Sequence, residues 1–103
     1  MVRPYIEIPT KHDNQIIRIF DSKHSNNLFQ WHKDDEDRRV IVITESKGWK
    51  FQFDDEIPFD LKHSTQFFIP KGIWHRIIKG DDTITLSIEV KNEKTIYSTK
   101  EIR

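Results

Sequence analysis

The sequence predicts an all-β fold, a sandwich or small barrel of short strands, and three observations carry that prediction. Apolar and polar residues alternate with period two in several runs, most cleanly from Trp49 to Phe53 and from Thr83 to Val90. Clusters of Asp, Asn, Ser, Lys and Gly break these runs at short intervals, as turns do. Apolar residues at helical spacing are scarce, and β-branched residues interrupt the good helix formers.

Taken in order, Tyr5-Ile-Glu-Ile8 alternates, and Pro9 ends the strand because proline has no ladder donor. Ile16 to Phe20 reads as a second strand, followed by a polar loop from Asp21 to Asn27. Leu28 to His32 leads into an acidic turn, Asp34 to Asp37. Arg39 to Thr44 is apolar on both faces, with Val40 and Val42 on one side and Ile41 and Ile43 on the other. A strand of that kind is covered twice. In so short a chain the second cover is either a second copy, which predicts a homodimer, or the N-terminal strand. Trp49, Phe51 and Phe53 form one face of the next strand. Phe59 to Leu61, Phe67 to Ile69, Trp74 to Ile78 and the long alternating run Thr83 to Val90 complete the set, with a last apolar pair at Ile96 and Tyr97.

Length and composition narrow the function. A chain of 103 residues is expected to be a single domain, residues 1–103, with room for one core. Seven Phe, three Trp and two Tyr supply that core. Lys plus Arg and Asp plus Glu are equal at 17 each, so the basic excess of a nucleic-acid binder is missing. Without cysteine, disulfides, thiolate metal sites and cysteine nucleophiles are excluded. No apolar run has the length of a membrane span, and the N-terminus lacks a secretory signal pattern, so a cytoplasmic protein is expected.

Two segments carry the chemistry: Trp31-His32-Lys33-Asp34, with the strand from Arg39, and Ile69-Pro-Lys-Gly-Ile-Trp-His75. Together they resemble the paired signatures of the cupin family over about residues 28 to 90. His32 falls on the first signature histidine, and Pro70, Gly72 and His75 match the second signature. The first signature is degenerate: Asp34 stands at the second histidine, Arg39 at the glutamate and Ser46 at the turn glycine. In the second signature Ser64 replaces the opening glycine. The resemblance implies a double-stranded β-helix, or jelly-roll barrel, with its site in the barrel mouth.

His32 and Asp34 are two apart on an extended segment and so share a face. If the signatures meet, His32, Asp34 and His75 form a two-histidine, one-carboxylate set suited to a divalent transition metal such as Fe, Mn, Ni or Zn. Arg39 cannot ligate. It either pairs with Asp34, leaving no metal, or clamps an anionic ligand. Trp49, Phe51 and Phe53 are core residues by default and ligand-cavity walls if the barrel interior is open. Expected, then, is a small-molecule-binding protein. A metal-dependent oxygenase or isomerase and a metal-free sensory or ligand-binding domain are the alternatives.

Overall fold

A computed structural model describes residues 3–91 of the chain. Eight strands and one turn of 3-10 helix follow in order: β1 (Tyr5–Pro9), β2 (Gln15–Asp21), the 3-10 turn (Asn26–Leu28), β3 (Asp37–Val42), β4 (Lys50–Phe53), β5 (Phe59–Asp60), β6 (Gln66–Ile69), β7 (His75–Ile78) and β8 (Thr83–Lys91). The strands form two antiparallel sheets, β1-β2-β8-β3-β6 and β5-β4-β7. The all-β expectation holds, and the arrangement is a jelly roll. Ile96 and Tyr97 lie outside the described residues. No helix among the described residues is long and apolar enough to cross a membrane.

The core lies between the sheets. From the larger sheet come Phe20, Val40, Val42, Ile84, Leu86 and Ile88, all buried; Trp49, Phe51, Leu61 and Ile77 meet them from the other side. Period-two alternation makes this sorting unambiguous. On β8, Ile84, Leu86 and Ile88 point inward while Thr85, Ser87 and Glu89 line the outer face. Register carries the same sorting across the sheet, since Phe20 pairs with Ile84 and Val42 with Leu86.

The segment from Leu28 to His32, which leads into the acidic turn, forms no strand. Ser25 caps the 3-10 turn, and only His32 makes a ladder contact, a bridge to His75. The two Asn residues of that turn favour local backbone bonds over a ladder.

Two turns interlock where Trp49 enters the core. Its indole Nε1–H donates to the carbonyl of Asp81 at 2.8 Å, and Lys47 bridges Asp81 through the backbone. Gly80 sits under this crossing. A Cβ there would fall 2.3 Å from the Lys47 carbonyl oxygen and 2.5 Å from the Trp49 amide nitrogen, both backbone atoms. Gly80→Ala is therefore expected to lower stability by about 1–3 kcal/mol, the range for overpacking. Denaturant unfolding reads this directly, and an unchanged midpoint would contradict the close approach.

β1 pairs with the edge of β2 within the same sheet, so it does not cover the outer face of β3. That face carries Ile41 and Ile43 from β3 and its extension and, beyond the polar β8 row of Thr85, Ser87 and Glu89, Ile17 and Ile19 of β2 and Ile6 and Ile8 of β1. Ile6 is 62% exposed and Ile43 40%.

Candidate metal centre

The site is assembled by backbone pairing before any side chain takes part. His32 and His75 exchange two main-chain hydrogen bonds, the His32 N–H donating to His75 at 2.9 Å and the His75 N–H donating to His32 at 2.8 Å. The next turn is clipped on as well: the Gly72 N–H donates to the Asp34 carbonyl at 2.8 Å, and the Lys71 N–H to Asp37 Oδ1 at 2.7 Å. Gly72 has a φ of +78°, which a glycine adopts without strain, so the Pro70-Lys71-Gly72 turn reverses the chain onto the acidic loop. Ser64, at the opening-glycine position, likewise has a positive φ, +72°.

With the pairing set, alternation sorts the side chains. Trp31 and Lys33 point one way with Trp74 and Arg76, and they interlock: the Arg76 guanidinium lies 4.7 Å from the Trp31 ring centre and the Lys33 ammonium 5.1 Å from that of Trp74. His32, Asp34 and His75 meet on the other side. One ligand atom from each lies within 4.8 Å of the others.

His75 is the anchor. It is 2% exposed and its ring stacks on Phe51 at 5.4 Å. Its Nδ1 lies 2.9 Å from the Ile73 carbonyl oxygen, which can only accept, so the proton sits on Nδ1 and Nε2 carries the lone pair. Burial pushes the imidazole below its usual pKa and keeps it neutral. Nε2 faces His32 Nε2 at 3.1 Å and Asp34 Oδ2 at 3.4 Å. Oδ2 is buried and has no hydrogen-bond donor. A lone pair, a second imidazole nitrogen and an undonated carboxylate oxygen thus crowd one point.

That donor set fits a divalent transition ion. Two imidazole nitrogens bound at about 2.1 Å and subtending a right angle would lie roughly 3 Å apart, close to the 3.1 Å between His32 and His75. His32 Nε2 stands 4.0 Å from Asp34 Oδ1, and the His32 side chain is 54% exposed, so one side of the set opens outward.

Arg39 is not part of this group. It lies on the outer face of β3 and its guanidinium reaches Glu89 Oε1 at 3.2 Å. The guanidinium beside Asp34 belongs to Arg38, 3.6 Å from Oδ1 and 17% exposed. Val40 and Val42 point inward, so Arg38 does too, and Arg39 points out. That parity was legible in the sequence; locating the family's glutamate position by counting through a degenerate motif put the cation one residue late. Arg38 Nε is itself buried without a partner.

The aromatic expectation needs a second correction. A cavity of about 420 Å³ borders His32, but Trp49, Phe51 and Phe53 do not line it. Its apolar walls are Tyr5, Phe20, Leu28, Phe29, Ile77 and Leu86. Trp49 is held in the core by its bond to Asp81. Phe51 and Phe53 pack with Phe59 and Phe67, four rings with neighbouring centres 4.7–6.5 Å apart. Facing rings from β5 and β6 fill that end of the barrel. His63 lies apart from this group, 3.7 Å from Glu45.

Comparison with known proteins agrees with this architecture. No family model matches the sequence, and no curated protein matches it either. Among solved structures, KdgF from Halomonas sp. superposes with a TM-score of 0.67 at 12% identity, over 90% of this chain and 85% of that one. An RmlC-like cupin with a double-stranded β-helix from Methanocaldococcus jannaschii gives 0.62 at 14% identity, over 93% and 88%. The Fe(II) form of HppE gives 0.61 at 7% identity, over 75% of this chain and 41% of that one. At these identities the likeness is one of fold.

Proposed function

This chain has the cupin fold, and from that premise we propose that it binds a small molecule beside a divalent transition metal held by His32, Asp34 and His75. One observation carries the reading: a neutral His75 offers its lone pair, 3.1 Å from His32 Nε2, toward a buried Asp34 oxygen that no donor satisfies. A buried polar atom left unpaired costs about 1–3 kcal/mol, and a cation held at this point would remove that cost for the Asp34 oxygen.

A bound ion would supply Lewis-acid or one-electron chemistry with positions open to a ligand. The chain's own residues do the rest. Phe51 and the Ile73 carbonyl fix the His75 ring, as partners of a ligating histidine do. Arg38 balances the charge of Asp34. His32 joins the set to the cavity. This arrangement suits an oxygenase or isomerase as well as a binding protein. The Fe(II) carried by HppE supports the metal assignment by analogy of fold alone.

A second reading is favoured by Arg38. At 3.6 Å from Asp34 the guanidinium makes a structural ion pair, and the pocket then serves as a metal-free binding or sensory site. Elemental analysis of protein purified without a chelating column separates the two. Stoichiometric Fe, Mn, Ni or Zn is expected. Metal-free protein that also fails to take up these ions on titration rejects the proposal.

We also propose a homodimer through the outer face of the larger sheet. The face carries isoleucines on both sides of the polar β8 row of Thr85, Ser87 and Glu89, Ile6 and Ile43 among them exposed, and a two-fold copy would set these isoleucines against their counterparts. Sedimentation is expected to give a dimer mass for the native chain and a monomer mass for the double substitution Ile6→Glu, Ile43→Glu. A native monomer at about 10 μM, where a weak dimer would still register, counts against it.

A further inference from the structure

The cavity beside His32 has a charged end that the metal reading leaves unused. On β2 the inward positions are Ile16, Arg18 and Phe20, so an arginine stands in an otherwise apolar row. Its side chain is 14% exposed. Nε–H donates to Glu7 Oε2 at 2.6 Å, and the guanidinium lies over the Tyr5 ring, 4.4 Å from its centre. That bond is the only one Arg18's side chain makes among the described residues, so its terminal nitrogens keep their donors for something else. Arg3 approaches the same ring at 5.8 Å and donates to the Tyr5 hydroxyl at 3.3 Å. Both arginines border the cavity. Two guanidiniums against the one carboxylate of Glu7 leave a single positive charge there.

Resting on the small-molecule reading above, we propose that the cavity takes a small organic acid with an aromatic or branched aliphatic body. Its carboxylate sits on Arg18 and Arg3, and its body lies against Phe20, Phe29, Ile77 and Leu86. The volume, about 420 Å³, falls within the range of small-molecule sites. The single net charge matches a carboxylate better than a phosphate dianion. A sugar fits poorly, because hydroxyls set against apolar walls lose their hydrogen bonds to water without replacement. A guanidinium fork that already stacks on an aromatic face is preorganised to receive two carboxylate oxygens.

The test uses the full chain after treatment with a chelator, so that ligand and metal binding are read apart. Phenylacetate, 4-methylpentanoate, neutral phenylacetamide and phenyl phosphate are titrated by calorimetry and by amide chemical shifts. Both acids are expected to bind, shifting the amides of Phe20, Phe29 and Ile77. Phenylacetamide and phenyl phosphate should bind at least about tenfold more weakly than phenylacetate, as befits loss or mismatch of a charge-assisted pair. Arg18→Met should weaken phenylacetate by a similar factor. Arg3→Ala, at an exposed position that the fold does not need, should weaken it several-fold.

Equal affinity for acid and amide would overturn the proposal. So would unchanged affinity in both arginine variants, or no shift with either acid up to about 10 mM. Uptake of metal alongside any of these failures leaves the metal centre standing and removes only the ligand class. Acid binding by a chain that takes up no metal does the reverse.

Discussion

His32→Ala is expected to abolish stoichiometric metal loading and to weaken divalent-metal affinity by at least about 100-fold. Loss of a mere outer partner of a ligand already costs 10–100-fold, and His32 would be a ligand itself. The substitution is a clean one. The His32 side chain is half exposed, and the two main-chain bonds to His75 do not involve the imidazole, so the segment keeps its place. His75→Ala would remove the same donor type but also leave a hole beside Phe51, confusing affinity with stability. Calorimetric titration with Zn and Mn, beside elemental analysis of the purified variant, measures the effect. Retention of native affinity would remove His32 from the centre and with it the reading of three convergent donors.

Arg38→Met gives the second large effect, and it separates the two readings of the site. In the metal-free chain the substitution strips Asp34, itself only 10% exposed, of the guanidinium 3.6 Å away. Breaking a buried pair from one side costs about 3–5 kcal/mol, or more than about 10 °C in Tm for a domain of this size. Where an ion occupies the centre, the same substitution removes a like charge, worth several kcal/mol at about 4 Å in a protein of moderate dielectric. Metal affinity should then rise at least about tenfold, and added metal should recover most of the lost Tm through linkage. A variant as destabilised as expected but unrescued by Zn, Mn, Fe or Ni would establish the structural ion pair.

The strands were legible because their cause is local. Alternation at Trp49 to Phe53 and at Thr83 to Val90 reports which side chain faces the core whatever the rest of the chain does, and both runs are strands with the inward set as read. The two-faced run from Val40 to Ile43 was likewise correct in its parity. Parity read one pair further back would have put Arg38 inward. A degenerate signature has no internal check on its register, and counting along it points to Arg39 instead. For Arg18 the same row logic marks a polar residue on an apolar face, yet only the pairing of β2 with β1 and β8 shows that this face borders a cavity.

Thus the residues alone determined the fold class, the strand faces and the pair of segments from which the candidate site is built. Tertiary structure decided which guanidinium stands beside Asp34, which rings pack together and which surround open space. The division has a physical reason. Side-chain direction along a strand follows from backbone geometry over two residues, whereas the distance from His32 to His75 and the emptiness beside them depend on sheet order, on where a turn clips to a loop, and on how much volume the facing rings of other strands fill.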